Sequence, residues 1–62
     1  MDTWEIKVNI HREPTLYEEL YSAFEEDREY DGGYVMMYSE GDEWGEMIAR
    51  FELRDKNRSP TL

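Results

Sequence analysis

The chain has 62 residues, no cysteine, and 16 acidic against seven Lys or Arg residues, for a formal charge of −9. One small domain is all that length supports, and such a chain buries only about 60% of its unfolded surface. The missing cysteines exclude disulfides and thiolate metal sites, and the charge disfavours direct binding to nucleic acid or anionic lipid, which both need a basic footprint.

Residues 3–12 alternate strictly. Trp4, Ile6, Val8 and Ile10 fall on one face, and Thr3, Glu5, Lys7, Asn9 and His11 on the other, which predicts a strand buried on one side. Glu13-Pro14 ends it. Thr15 then reads as a helix N-cap, with Glu18 completing a T-x-x-E capping box. The helix is predicted from about Leu16 to Glu29, with Leu16, Leu20, Ala23 and Phe24 as its core stripe and Asp31-Gly32-Gly33 as its stop.

Tyr34–Ser39 reads as a second strand and Glu40-Gly41-Asp42-Glu43 as a turn. Residues 44–54 fit two patterns. As a strand they point Met47, Ala49, Phe51 and Leu53 inward. As a helix they align Trp44, Met47, Ile48 and Phe51. The strand is preferred, because a two-stranded ribbon alone is marginal in water whereas three strands under a helix share a core. Gly45 beside the turn suits a bulge. Residues 56–62 read as a tail behind a domain of residues 1–55.

The expected architecture is α+β, a single β-α-β-β domain: a three-stranded antiparallel sheet, last strand central, with one helix packed on one face. The helix side of the sheet is expected to carry Trp4, Ile6, Val8, Ile10, Val35, Met37, Met47, Ala49, Phe51 and Leu53. Tyr34, Met36, Tyr38, Trp44 and Ile48 are expected on the open face, where an apolar cluster marks an interface.

The residues argue against an enzyme. Ser22 and Ser39 have only His11 as a base, with no triad in local sequence. Gly32-Gly33 lacks a phosphate-binding motif. His11 has no companion ligands, and the Glu40–Glu43 turn lacks the calcium-loop pattern. No cofactor or metal is expected. No apolar run approaches the roughly 20 residues of a membrane span, and the alternation at the start is unlike a signal peptide, so the expected location is cytoplasmic.

The charge is uneven. Residues 1–49 hold 14 acids against Lys7, Arg12 and Arg28, while residues 50–62 hold four bases and two acids. On the predicted helix, Glu18, Ser22, Glu25 and Glu29 form one outer row, with Glu19 and Glu26 beside it and Asp27 at its end. Glu40, Asp42 and Glu43 extend the acid, and Tyr17, Tyr21 and Tyr30 flank it with aromatic surface for desolvated contacts. Carboxylates at such helical spacing imitate part of a phosphate row. The expected partner is a basic, nucleic-acid-binding protein.

Tiny size, absent cysteine, strong acidity and an acid-studded helix on a sheet together resemble the DNA-mimic inhibitors encoded by bacteriophages. The resemblance covers composition and layout, with no motif matched residue by residue. It implies a role in blocking host or defence proteins such as nucleases, repair glycosylases, gyrase, CRISPR effectors or restriction enzymes, in the host cytoplasm. The alternative is a protein-interaction module (antitoxin, immunity protein or accessory subunit) that binds, or forms a homodimer, through the apolar sheet face.

Overall fold

The computed structural model describes residues 3–56, in the order β1 (Thr3–Asn9), α1 (Pro14–Glu26), β2 (Glu29–Tyr30), β3 (Gly33–Glu43) and β4 (Glu46–Asp55). The strands lie in the order β1-β4-β3-β2, every neighbouring pair antiparallel. The last long strand is therefore central, as its inward set Met47, Ala49, Phe51 and Leu53 requires. The sheet has four strands, not three, because β2 adds a two-residue strip against Gly33 and Tyr34. The expected tail lies outside the described residues except for Lys56, whose N–H bonds the Gly32 carbonyl at 3.2 Å.

The core sits between α1 and the sheet. Val8, Leu20, Ala23, Val35, Ala49, Phe51 and Leu53 are buried, and Trp4, Ile6, Ile10, Leu16, Tyr17, Phe24, Tyr30 and Tyr38 pack around them. In the β1–β4 register Trp4 faces Leu53, Ile6 faces Phe51 and Val8 faces Ala49, so the alternating sets of the two strands meet on one face. Gly33 fits beneath the Trp4 indole. A Cβ there would stand 2.8 Å from the ring and 2.9 Å from the Arg54 carbonyl oxygen.

The second strand departs from expectation through a β-bulge. Val35 pairs with Leu53, but Met37 pairs with Glu52, which leaves Met36 as the extra residue. Because side chains alternate with period two, one extra residue flips everything after it. Met37, expected in the core, is 59% exposed, and Tyr38, expected outside, packs inward on Phe51 with ring centroids 5.0 Å apart. Glu40 and Asp42 move to the helix side with it.

The helix begins two residues and ends three residues earlier than expected. Pro14 occupies its first position, where a fixed φ and a missing N–H carry no penalty. The cap is Glu13, whose carbonyl receives the Tyr17 N–H at 3.0 Å, and no side chain caps the end. The expected Thr15–Glu18 box is thus inside the helix. The helix stops at Asp27, which is left-handed (φ 56°), and the Arg28 N–H reaches back to the Ala23 carbonyl at 2.8 Å. Its guanidinium folds over the last turn to Glu26 (2.6 Å) and Ser22 (2.7 Å).

Early termination frees Glu29-Tyr30 to become a strand. Asp31-Gly32, expected to stop the helix, is instead a two-residue hairpin turn with both φ values positive (50° and 83°). Trp44-Gly45 repeats that geometry (55° and 81°) between β3 and β4. Strand pairing runs through the expected turn Glu40–Glu43 to a Glu43–Glu46 pair. At the β1–α1 corner the Asn9 side chain accepts the N–H groups of His11 (3.0 Å) and Arg12 (2.9 Å) and donates to Glu46.

Candidate functional site

The two sides of the sheet differ in charge because the bulge and the helix sort the acids. On the helix side stand Glu13, Glu18, Glu19, Glu25, Glu26, Asp27, Glu40 and Asp42, all exposed, against Arg28 as the base on that side among the described residues. Arg28 is committed to Glu26, and its guanidinium holds that carboxyl below the usual range, with Ser22 adding a hydrogen bond. Glu18 and Glu25 are seven residues apart, about 10.5 Å along the axis, and Glu19 and Glu26 repeat the spacing.

Tyrosines fill the groove between α1 and β3. Tyr17 stacks on Tyr21 at 6.0 Å, and Tyr21 meets Tyr38 edge-on at 5.1 Å. The hydroxyls of Tyr17 and Tyr38 lie 3.0 Å apart and both reach Glu40. Burial, followed by the Glu40 charge, raises the Tyr17 phenol above its ordinary value. The Tyr21 phenol is raised by a hydrogen bond to Glu25 and by that carboxylate's charge. Tyr30 lies opposite Gly33 on the core side, and burial raises it first, then Glu19 and Asp31. The Tyr17 phenol donates to Glu40 and the Tyr21 phenol to Glu25.

Two expected site residues lie elsewhere. Glu29 is not on the helix at all. It sits in β2 on the open side, paired with Lys56 at 2.5 Å, so the outer row stops at Glu25. Glu43 also points to the open face, where it binds Lys7 at 3.4 Å and Arg50. Sequence reading missed Tyr38 as a partner of Glu40, because nothing in YVMMYS marks an extra residue. It also missed Asn9, whose signal was present: asparagine between a strand and a helix is a turn-forming side chain.

The open face is balanced. Glu5, Glu29, Glu43, Glu46 and Glu52 are offset by Lys7, Arg12, Arg50, Arg54 and Lys56, with Arg12 and Glu46 3.3 Å apart. Of its expected apolar residues, Tyr34 and Ile48 are there, Met37 replaces Tyr38, Met36 occupies the bulge, and Trp44 is at the hairpin tip. A shallow depression of about 380 Å³ opens on this face, lined by Glu5, Met37, Ser39, Arg50 and Glu52 among others. Among the described residues no cluster of three or more His, Cys, Asp or Glu side chains is placed to hold a metal ion. No helix among them is long and apolar enough to cross a membrane. Compared with known protein families, characterised proteins and solved structures, the chain matches none.

Proposed function

We propose that this protein is a non-enzymatic inhibitor whose helix side mimics nucleic-acid phosphates and occupies the basic binding site of a DNA- or RNA-binding host or defence protein. The observation that carries the reading is the sorting of charge. Nearly all the net negative charge of the described residues is concentrated on one side of a thin domain, where Arg28 is the one base among them. A solvated surface has no need of such segregation, whereas electrostatic steering towards a basic groove does.

The spacing supports it. The 10.5 Å between successive acid pairs on α1 approximates three phosphate steps of about 3.4 Å along one strand of duplex. Glu40 and Asp42 form a second acid row on β3, alongside the helix. The tyrosines between the rows supply flat apolar surface with protonated hydroxyls at its edge, suited to contacts that must lose water. These features specify the target's chemistry: a Lys/Arg-lined cleft.

The test is competition. Partners captured from host lysate should be nucleic-acid-binding proteins, and duplex DNA or RNA should displace them. A captured partner that holds nucleic acid and this protein at once would overturn the reading.

A further inference from the structure

Trp44 is the anomaly of the molecule. Its side chain is 99% exposed, and its backbone is left-handed at φ 55°, a region bulky residues rarely adopt. A turn of this type is built with Asn, Asp or Gly in that position. Tryptophan there is costly twice over, once in backbone strain and once in hydrating a large ring. The turn is nonetheless latched, since the Asp42 carboxylate accepts the Gly45 N–H at 3.1 Å.

We propose that Trp44 is the anchor of a homodimer in which two copies pack open face to open face, each indole seated in the depression of the other. The depression offers what an indole takes. The Met37 thioether and the Arg50 guanidinium both favour an aromatic face. The carboxylates of Glu5 and Glu52, neighbours in the β1–β4 register, accept from an indole N–H, which is a donor only. The volume of about 380 Å³ admits a bicyclic ring.

Charge chooses the face. Two helix sides would oppose eight carboxylates to eight, whereas the open faces carry five acids and five bases each and meet without net repulsion. The geometry closes. Trp44 lies seven residues beyond Met37, in the turn that follows β3, about 23 Å at the rise of a strand. A two-fold axis across the strands, midway between tip and depression, brings both indoles into both depressions in one arrangement. Met37, 59% exposed, is then covered along the overlap. The patch is small for a specific interface, so the dimer is weak and concentration-dependent. Both helix sides face outward, so the dimer is independent of the inhibitor reading.

Sedimentation velocity on the full chain from about 10 µM to about 1 mM, at low and at high salt, tests the idea. The expected result is a monomer–dimer equilibrium that high salt strengthens severalfold, since screening removes the repulsion between two copies of charge −9. Trp44→Ala and, separately, Met37→Lys should weaken it at least about tenfold with circular dichroism unchanged. In a Trp4→Phe background the remaining indole should shift its fluorescence to the blue as concentration rises. A monomer throughout overturns the proposal. So does a dimer indifferent to both substitutions, which would place the contact elsewhere, such as the free edge of β3.

Discussion

The two sides of the sheet are made from the same residue types and behave in opposite ways. On the helix side eight carboxylates face the Arg28 guanidinium among the described residues, and on the open side five acids are matched in number by five bases, with Glu29, Glu43 and Glu46 in ion pairs. The difference lies in where bases can stand. On the open face Glu43 bridges Lys7 and Arg50, which are themselves opposite one another. The strand register delivers these contacts at little cost. On the helix side α1 and β3 both carry acids, and Arg28 is the base there among the described residues. One side thus carries a strong negative field, and the other is close to neutral.

Losing the common core breaks both sides at once. Phe51 is wholly buried and touches Tyr17 and Tyr38. Phe51→Ala should remove about 3–5 kcal/mol from a domain whose total stability is on the order of 3–9 kcal/mol. Urea titration should find it largely unfolded. Charge changes separate the sides. Glu18→Lys with Glu25→Lys should weaken binding to a basic partner about a hundredfold, or 2.7 kcal/mol, with a reduced salt dependence. Glu5→Lys on the open face should leave that binding intact and, by relieving the Glu5–Glu52 opposition, stabilise the fold by about 0.2–1 kcal/mol.

Gly33→Ala probes the seam between β1 and β3. The new methyl would meet the Trp4 ring and the Arg54 carbonyl, so about 1–3 kcal/mol should be lost in thermal melts, with altered Trp4 fluorescence. The smallest expected effect is with pH. The folded state raises the phenols of Tyr17, Tyr21 and Tyr30, so it holds their protons more tightly than the unfolded chain. That stability is fully present below about pH 10 and falls as pH rises beyond it. Glu26 has the opposite sign: its depressed carboxyl contributes above its ordinary value and loses that contribution as acid protonates it. Melts at pH 8 and 11 should show the alkaline loss, and Tyr17→Phe should reduce it.

Much of the fold is legible from periodicity. The alternation of Trp4 to Ile10 and of Met47 to Leu53, with the stripe Leu16, Leu20, Ala23 and Phe24, is enough to place two strands, a helix and a central last strand. What escapes is anything that depends on one residue. The bulge at Met36 has no glycine or polar residue to announce it, and it moves Tyr38, Glu40 and Asp42 to the helix side. The Asp31-Gly32 pair could have been read as a hairpin turn, and with it β2, because Asp-Gly favours that turn as strongly as glycine favours a helix stop. Pro14 likewise competes with Thr15 for the helix start, and the fixed ring wins. Of the candidate site, the helix acids Glu18, Glu19, Glu25 and Glu26 lie where the pattern put them. Glu29 and Glu43 do not, because each belongs to a strand whose limits were misplaced.

The brevity of β2 has a further consequence. It covers only Gly33 and Tyr34, so from Met36 to Glu43 the outer backbone of β3 has no partner strand among the described residues. A bare edge of that length is a template for adding another chain without limit, the start of a fibril. Here the bulge twists it, and Glu40, Asp42 and Glu43 line it with charge. Some of the acids of the helix side therefore also keep this edge from growing on itself. Neutralising Glu40 and Asp42 should raise the tendency to aggregate.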